Sequence, residues 1–203
     1  MKICILDYGS GNVASVFNML KFIEFAPEIS NEKKKIRDAS HVILPGVGSY
    51  KSGMEKIKRK LPIDCLENEI LKKGKPFLGI CLGMQVLSTV GYEFGKYQGL
   101  NWVEGEVKKL DVKKSILPHV GWNEVKAKSK NNILFNNIDT DENFYFVHSY
   151  YFNSFNKKNI LATSIYEETF ASAIRKDNVF GVQFHPEKSQ KSGMKLLKNF
   201  LKI

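Results

Sequence analysis

The sequence predicts an α/β domain: a central, mostly parallel sheet with flanking helices, and an antiparallel strand-rich C-terminal half. Two textures carry this. Up to about residue 100, short apolar runs alternate with stretches of helical period, the pattern of βαβ units and a parallel sheet. From about Val103, strand-like segments follow one another with only turn residues between them. Apolar and polar side chains often alternate there, as in antiparallel strands with one wet face. The 203 residues are 43% hydrophobic and 12% aromatic, enough to bury a substantial core. No repeat, low-complexity tract or linker divides the chain, so residues 1–203 are read as a single domain.

The elements follow in order. "KICILD" is a short buried strand, and residues 11–24 place Val13, Val16, Phe17, Leu20 and Ile23 at helical spacing. "HVILPG" is a second buried strand, and residues 49–60 and 62–73 read as helices with charges on one side. "KPFLGIC" is a third strand and "LGMQVLSTV" a helix. "VEGEVKKLDV", "ILPHVGWNEVKA", "NFYFVHSYYF", "NILATSIYE", "TFASAIRK" and "VFGVQFHP" are strand-like. The closing "SQKSGMKLLKNFLK" is an amphipathic helix with Met194, Leu197, Phe200 and Leu201 on one face and Ser189 as its N-cap.

Composition narrows the function classes. The three cysteines, Cys4, Cys65 and Cys81, are odd in number and form no CxxC pair, which argues against a disulfide framework or a zinc ribbon. Reduced thiols fit a cytoplasmic setting. The N-terminal apolar run ends at Asp7, too short for a signal peptide, and no run approaches the length of a membrane span, so no membrane association is expected. The net charge of +10 raises the question of nucleic acid. All the basic residues except Arg37, Arg59 and Arg175 are lysines in short scattered runs, the pattern of solvated helix faces. Arginine is the residue that grips phosphates and guanine edges bidentately, so no nucleic-acid partner is expected. "DYGSGN" has only G-x-G, without the third glycine or the Lys-Ser/Thr of a phosphate loop. No cofactor and no metal are expected.

The chemistry concentrates at "GICLG", Gly79 to Gly83. This has the form G-x-nucleophile-x-G, in which a strand turns sharply into a helix and pushes the central side chain out above the sheet. A cysteine at a helix N-terminus is made more acidic, and the N–H of the next residue, Leu82, can donate to an oxyanion. The same five residues also suit a buried structural cysteine beside a helix-packing glycine pair. Of the four histidines, His41 opens a strand and reads as structural. His185 ends the apolar strand in "GVQFHPEKS", is followed by Pro186, and has Glu187 two residues on. A Cys81–His185–Glu187 triad is the sharper reading, with the imidazole as base and the carboxylate as its orienter.

"GICLGMQ" followed 104 residues later by "HPE" resembles the class I, or triad, glutamine amidotransferases. "ILDYGSGN", "LPGVGSY", "LPHVGWN", "YFVHSYY" and "PEKSQKSG" are most similar to the branch that serves a cyclase of histidine biosynthesis. The resemblance implies the family's flavodoxin-like fold and hydrolysis of L-glutamine to glutamate and ammonia by Cys81, His185 and Glu187. It implies that Gly46, Val47 and Gly48 line the site as an oxyanion strand. It also implies that Gln85 and Glu93 contact the amino-acid end of glutamine, and that the backbone of His148, Ser149 and Tyr150 meets its carboxylate. It implies a heterodimer with a (β/α)8-barrel cyclase that receives the ammonia, with Trp122 and Lys188 at the interface. The segment "STVGYEFGKYQGLNWVEGEV" departs from the branch's usual acidic, serine-rich loop and leaves room for a paralogue feeding another synthase, such as a sugar-aminating enzyme of surface glycans. A Cys/His/Glu hydrolase of another amide and a basic binding module are the competing classes.

Overall fold

The computed structural model describes residues 1–129, 132–139 and 142–203. Its first half alternates β1 (Ile3–Ile5), α1 (Val13–Phe22), β2 (Pro27–Ile29), α2 (Lys33–Asp38), β3 (His41–Gly46), α3 (Tyr50–Lys60) and α4 (Ile63–Glu67), the last running into a π-helical turn at Asn68–Lys72. Then come β4 (Phe77–Cys81) and the single turn α5 (Leu82–Gln85). The second half holds β5 (Val90–Gly91), β6 (Tyr97–Gln98), β7 (Gly105–Lys109), β8 (His119–Glu124), β9 (Lys126–Ala127), β10 (Asn143–His148), β11 (Tyr150–Ser154), β12 (Ile160–Tyr166), β13 (Glu168–Lys176) and β14 (Val179–Val182). It closes on α6 (Gln190–Phe200).

The main sheet runs β2-β1-β3-β4-β14-β13-β12-β9. The pairs β1–β2, β1–β3, β3–β4 and β4–β14 are parallel, and β13 and beyond are antiparallel. Parallel strands are covered on both faces, so their side chains are apolar throughout and sort by alternation. Ile3, Ile5, Ile43, Leu78 and Ile80 face one core with Val16 and Leu20 of α1 and Leu196, Leu197 and Phe200 of α6. Cys4, Leu6, Val42, Leu44 and Phe77 face the other, with Met54 and Ile57 of α3 and Leu66 of α4. The sequence-predicted face of the last helix holds: Leu197, Phe200 and Leu201 are buried and Met194 packs partly against the same core. Among the described residues, no helix is long and apolar enough to cross a membrane.

The structure corrects three expectations. "LGMQVLSTV" is one turn of helix rather than a full one. The backbone tightens through Leu87 N–H to Met84 O and Ser88 N–H to Gln85 O, and Thr89 N–H then donates to Gly105 O. Strand pairing with β7 therefore captures Val90 and Gly91, whose apolar neighbours mimic a helix. "NFYFVHSYYF" is two strands in two sheets: β10 pairs with β8, β11 with β7, and the chain changes sheet at Ser149. Ser189 stands at the N-cap of α6 without capping it, because its hydroxyl is spent on His185 O and on Tyr145 N–H.

Candidate active site

Cys81 ends β4 and starts α5 with φ 54° and ψ −111°. A non-glycine residue takes a positive φ of this kind only when its surroundings force it, at a cost of about 1–3 kcal/mol. Here the forcing is a close approach of three backbone segments. A Cβ on Gly79 would lie 2.4 Å from Gly83 O, and one on Gly83 would lie 1.9 Å from Leu44 O. The glycines of "GICLG" thus let the turn of α5 sit directly on β3 and β4, and the bend at Cys81 follows.

His185 reaches the cysteine through the sheet. β4 and β14 are parallel neighbours with Ile80 paired to Val182, so two segments about a hundred residues apart in the chain end side by side. The His185 N–H donates to Tyr145 O at 2.9 Å, which holds the backbone beyond the strand end. The ring is buried, and its Nδ1 lies 2.7 Å from Glu187 Oε1. That oxygen also accepts from Asn12 Nδ2 at 3.1 Å, which fixes the carboxylate in turn. His185 Nε2 is buried with no hydrogen bond of good geometry, and Cys81 is the charge that acts on it. Burial opposes the charged imidazole, but the Cys81 thiolate and Glu187 outweigh it and push His185 up to about 10. An imidazolium held between Glu187 and Cys81 is the state this arrangement favours.

Cys81 and His185 open onto a cavity of about 240 Å³. Its wall brings together Val47, Gly48, Leu82, Gln85, Glu93, His148, Ser149 and Tyr150, all named from sequence, with Pro118 and Val147 added. This is below the usual range for drug-sized ligands and suits a molecule the size of an amino acid. Gly46 is not in the wall. It is packed behind it, where a Cβ would lie 2.6 Å from Gly83 N and 2.5 Å from the Tyr8 hydroxyl. Gly48 has φ 95°, and Val47 N–H donates to Ser10 O at 3.3 Å, so that donor is turned away from the cavity. Glu93 is held at the start of α3 by Tyr50 N–H, 2.6 Å from its Oε2. Trp122 and Lys188 lie outside the cavity, where both meet the Tyr145 ring: the indole edge-on with centroids 6.1 Å apart, the ammonium 5.5 Å from the centroid.

A buried polar chain runs behind this wall. Asn123 Nδ2 donates to Ile165 O and meets His119 Nε2 at 3.3 Å, which makes that ring nitrogen an acceptor and His119 Nδ1 the N–H. His119 Nδ1 lies 3.0 Å from His148 Nε2, and His148 Nδ1 lies 2.9 Å from Tyr150 O. The Tyr150 carbonyl also accepts from Gln85 Nε2 at 2.8 Å, and the second Gln85 N–H goes to Gln183 Oε1 at 3.0 Å. Gln183 Nε2 ends the chain 3.7 Å from Cys81 Sγ. Burial lowers both imidazoles, His119 to about 4 and His148 to about 3, so both are neutral at physiological pH. Asn12, His119 and Gln183 were not legible as site residues. The one signal was Gln183, a polar residue inside the otherwise apolar "GVQF".

Residues 4–203 match the family described as Glutamine amidotransferase class-I. Imidazole glycerol phosphate synthase subunit HisH 2 of Methanococcus maripaludis is 47% identical over 98% of both chains. Its counterpart of the same description in Pseudomonas aeruginosa is 41% identical over 99% of both. A chain of PurLQS from Thermotoga maritima superposes with a TM-score of 0.78 at 18% identity, covering 99% of this chain and 97% of that one, which speaks to fold alone.

Proposed function

Since the chain belongs to the class I glutamine amidotransferases, we propose that it is the glutaminase subunit of an imidazole glycerol phosphate synthase, acting as one domain through Cys81, His185 and Glu187. The observation that carries the catalytic assignment is the oriented imidazole, with Glu187 at 2.7 Å on one nitrogen and Cys81 acting on the other, at the mouth of an amino-acid-sized cavity.

The Cys81 thiolate attacks the side-chain carbonyl carbon of glutamine, and the carbonyl π electrons move to oxygen. His185, already an imidazolium, gives its proton to the departing amine, and ammonia leaves. The neutral imidazole then takes a proton from water as that water attacks the glutamyl thioester, and thiolate and glutamate are restored. Glu187 holds the ring through both halves, and Asn12 holds Glu187. Leu82 N–H, at the first position of α5 and so without an intrahelical partner, donates to the oxyanion. Val47 N–H becomes a second donor only when it leaves Ser10 O, a peptide rotation that Gly46 and Gly48 permit. Gln85, Glu93 and the His148–Tyr150 backbone hold the amino-acid end.

The ammonia passes to a (β/α)8-barrel cyclase in a cytoplasmic heterodimer, where it enters imidazole glycerol phosphate and an aminoimidazole carboxamide ribotide. Trp122 and Lys188, gathered on Tyr145 beside half-exposed Val120, form part of that interface. Full-length relatives described as subunits of this synthase leave the glycan-synthesis paralogue without support. The test is synthesis by the reconstituted pair with glutamine or with ammonium as nitrogen source. Cys81→Ala is expected to abolish the first and keep the second, and retention of glutamine-dependent synthesis refutes the assignment. Trp122→Ala is expected to weaken association at least tenfold, as loss of an interface aromatic does.

A further inference from the structure

We infer that Gln183 is a catalytic residue whose side-chain amide donates to the Cys81 sulfur and sets the reactivity of the thiolate. The inference deepens the reading above and rests on Cys81 being the nucleophile. Gln183 is fully buried, two residues before His185, and its backbone N–H is fixed on Ser172 O at 2.9 Å. Its amide has one allowed orientation. The Tyr150 carbonyl can only accept, so Gln85 must present its NH2 there. The second Gln85 N–H then requires an oxygen, and Gln183 Oε1 supplies it at 3.0 Å. Gln183 Nε2 is left pointing at Sγ, 3.7 Å away. The other neighbour of the sulfur is an acceptor, Val147 O at 3.9 Å, which suits a thiol and repels a thiolate. Gln183 is the neutral donor that offsets it.

A hydrogen bond to a charged group shifts an equilibrium by roughly tenfold or more. Without the Gln183 donor the thiolate is harder to form, and the pH at which it forms rises by about one unit. The nucleophilicity of each remaining thiolate rises, and with a Brønsted slope near 0.5 that rise is about threefold. The two effects oppose, which gives the inference a signature that a packing role does not have.

The experiment is the pH dependence of iodoacetamide alkylation at Cys81 in the full chain, followed by mass, for the parent, Gln183→Met and Gln183→Glu. Met keeps the length and removes the donor. Glu keeps an oxygen for Gln85 and places carboxylate oxygen against the sulfur. Gln183→Met is expected to reach half-maximal alkylation about one pH unit above the parent and then a plateau about threefold faster, so that the curves cross. Gln183→Glu is expected to need a higher pH still. Curves that superpose within twofold across the range, in whichever variant folds, overturn the inference. Glutamine hydrolysis by Cys81→Ala would instead overturn the nucleophile assignment, leaving the alkylation curves to report on Gln183 alone.

Discussion

The facing imidazoles of His119 and His148 make the protein sensitive to mild acid. In the fold every ring nitrogen of the pair is committed: His119 Nε2 to Asn123, His119 Nδ1 to His148 Nε2, His148 Nδ1 to Tyr150 O. A further proton has no site without breaking one of these bonds. Burial lowers the two groups to about 4 and about 3, against 6.5 for an exposed histidine. A base whose folded pKa is depressed contributes stability above the unfolded pKa, and that stability is lost as pH falls below it. Here the loss begins near 6.5, where the unfolded chain takes up protons that the fold refuses. For two such groups, the loss between pH 7.5 and pH 5 is about 4 kcal/mol, a large share of a typical folding stability of about 5–15 kcal/mol. His41, also lowered by burial, acts in the same direction, whereas His185, raised by its partners, regains about 1 kcal/mol as pH falls through the upper part of the interval. The window lies above the range where ordinary carboxylates titrate. Urea unfolding at the two pH values reads the loss directly. His119→Phe keeps the stacking on Tyr166 and Phe146, with centroids 4.1 and 5.0 Å away, and removes one titrating group. Its loss over the same interval is expected to be smaller by about 2 kcal/mol. A parent that loses under about 1 kcal/mol, or a variant that loses as much as the parent, refutes the reasoning.

Three further outcomes follow from the same packing and hydrogen bonds. Gly83→Ala drives a Cβ to 1.9 Å from a backbone oxygen, so a loss of about 3 kcal/mol or more is expected in thermal unfolding, and a variant within about 1 kcal/mol of the parent contradicts the elbow geometry. His185, raised to about 10, adds stability that is complete below 6.5 and drains away as pH climbs toward 10. Cys81→Ala removes the thiolate that raises it, so the alkaline decline should flatten, and an unchanged decline means the pair is not coupled. Asn12→Ala removes one of the two groups that hold Glu187 Oε1 and should lower kcat of the reconstituted synthase with glutamine about tenfold, leaving the ammonium reaction untouched. Equal loss in both reactions would place Asn12 at the interface instead.

The sequence carried the parallel half of the sheet well because strands buried on both faces read as apolar runs. "HVILPG" coincides with β3 to the residue, and "KPFLGIC" starts two residues before β4 and ends with it. β2 and α2 escaped notice, since Pro27–Ile29 is an edge strand with a largely exposed pattern and Lys33–Asp38 buries only Ile36. Cys81, His185 and Glu187 were legible because their spacing rules are local: two glycines about a cysteine, and a carboxylate two positions after a histidine. The cavity wall was reached through family likeness, as nothing in "VHSYY" alone distinguishes a pocket edge from core. The polar chain from Asn123 to Gln183 was not legible at all. Its members lie on β8, β10, β11, α5 and the segment after β14, and only the closed fold brings them into hydrogen-bond range.

The position of β14 has a consequence for biosynthesis. It is the last strand to leave the ribosome, yet it sits in the interior of the sheet, between β4 and β13. A nascent chain that stops short of Val179 has a gap where its two halves should meet, and the contacts that close it are among the most distant in the sequence. The same insertion delivers His185 to a cysteine that was synthesised about a hundred residues earlier. Chains that stop before His185 therefore carry Cys81 without its imidazole neighbour.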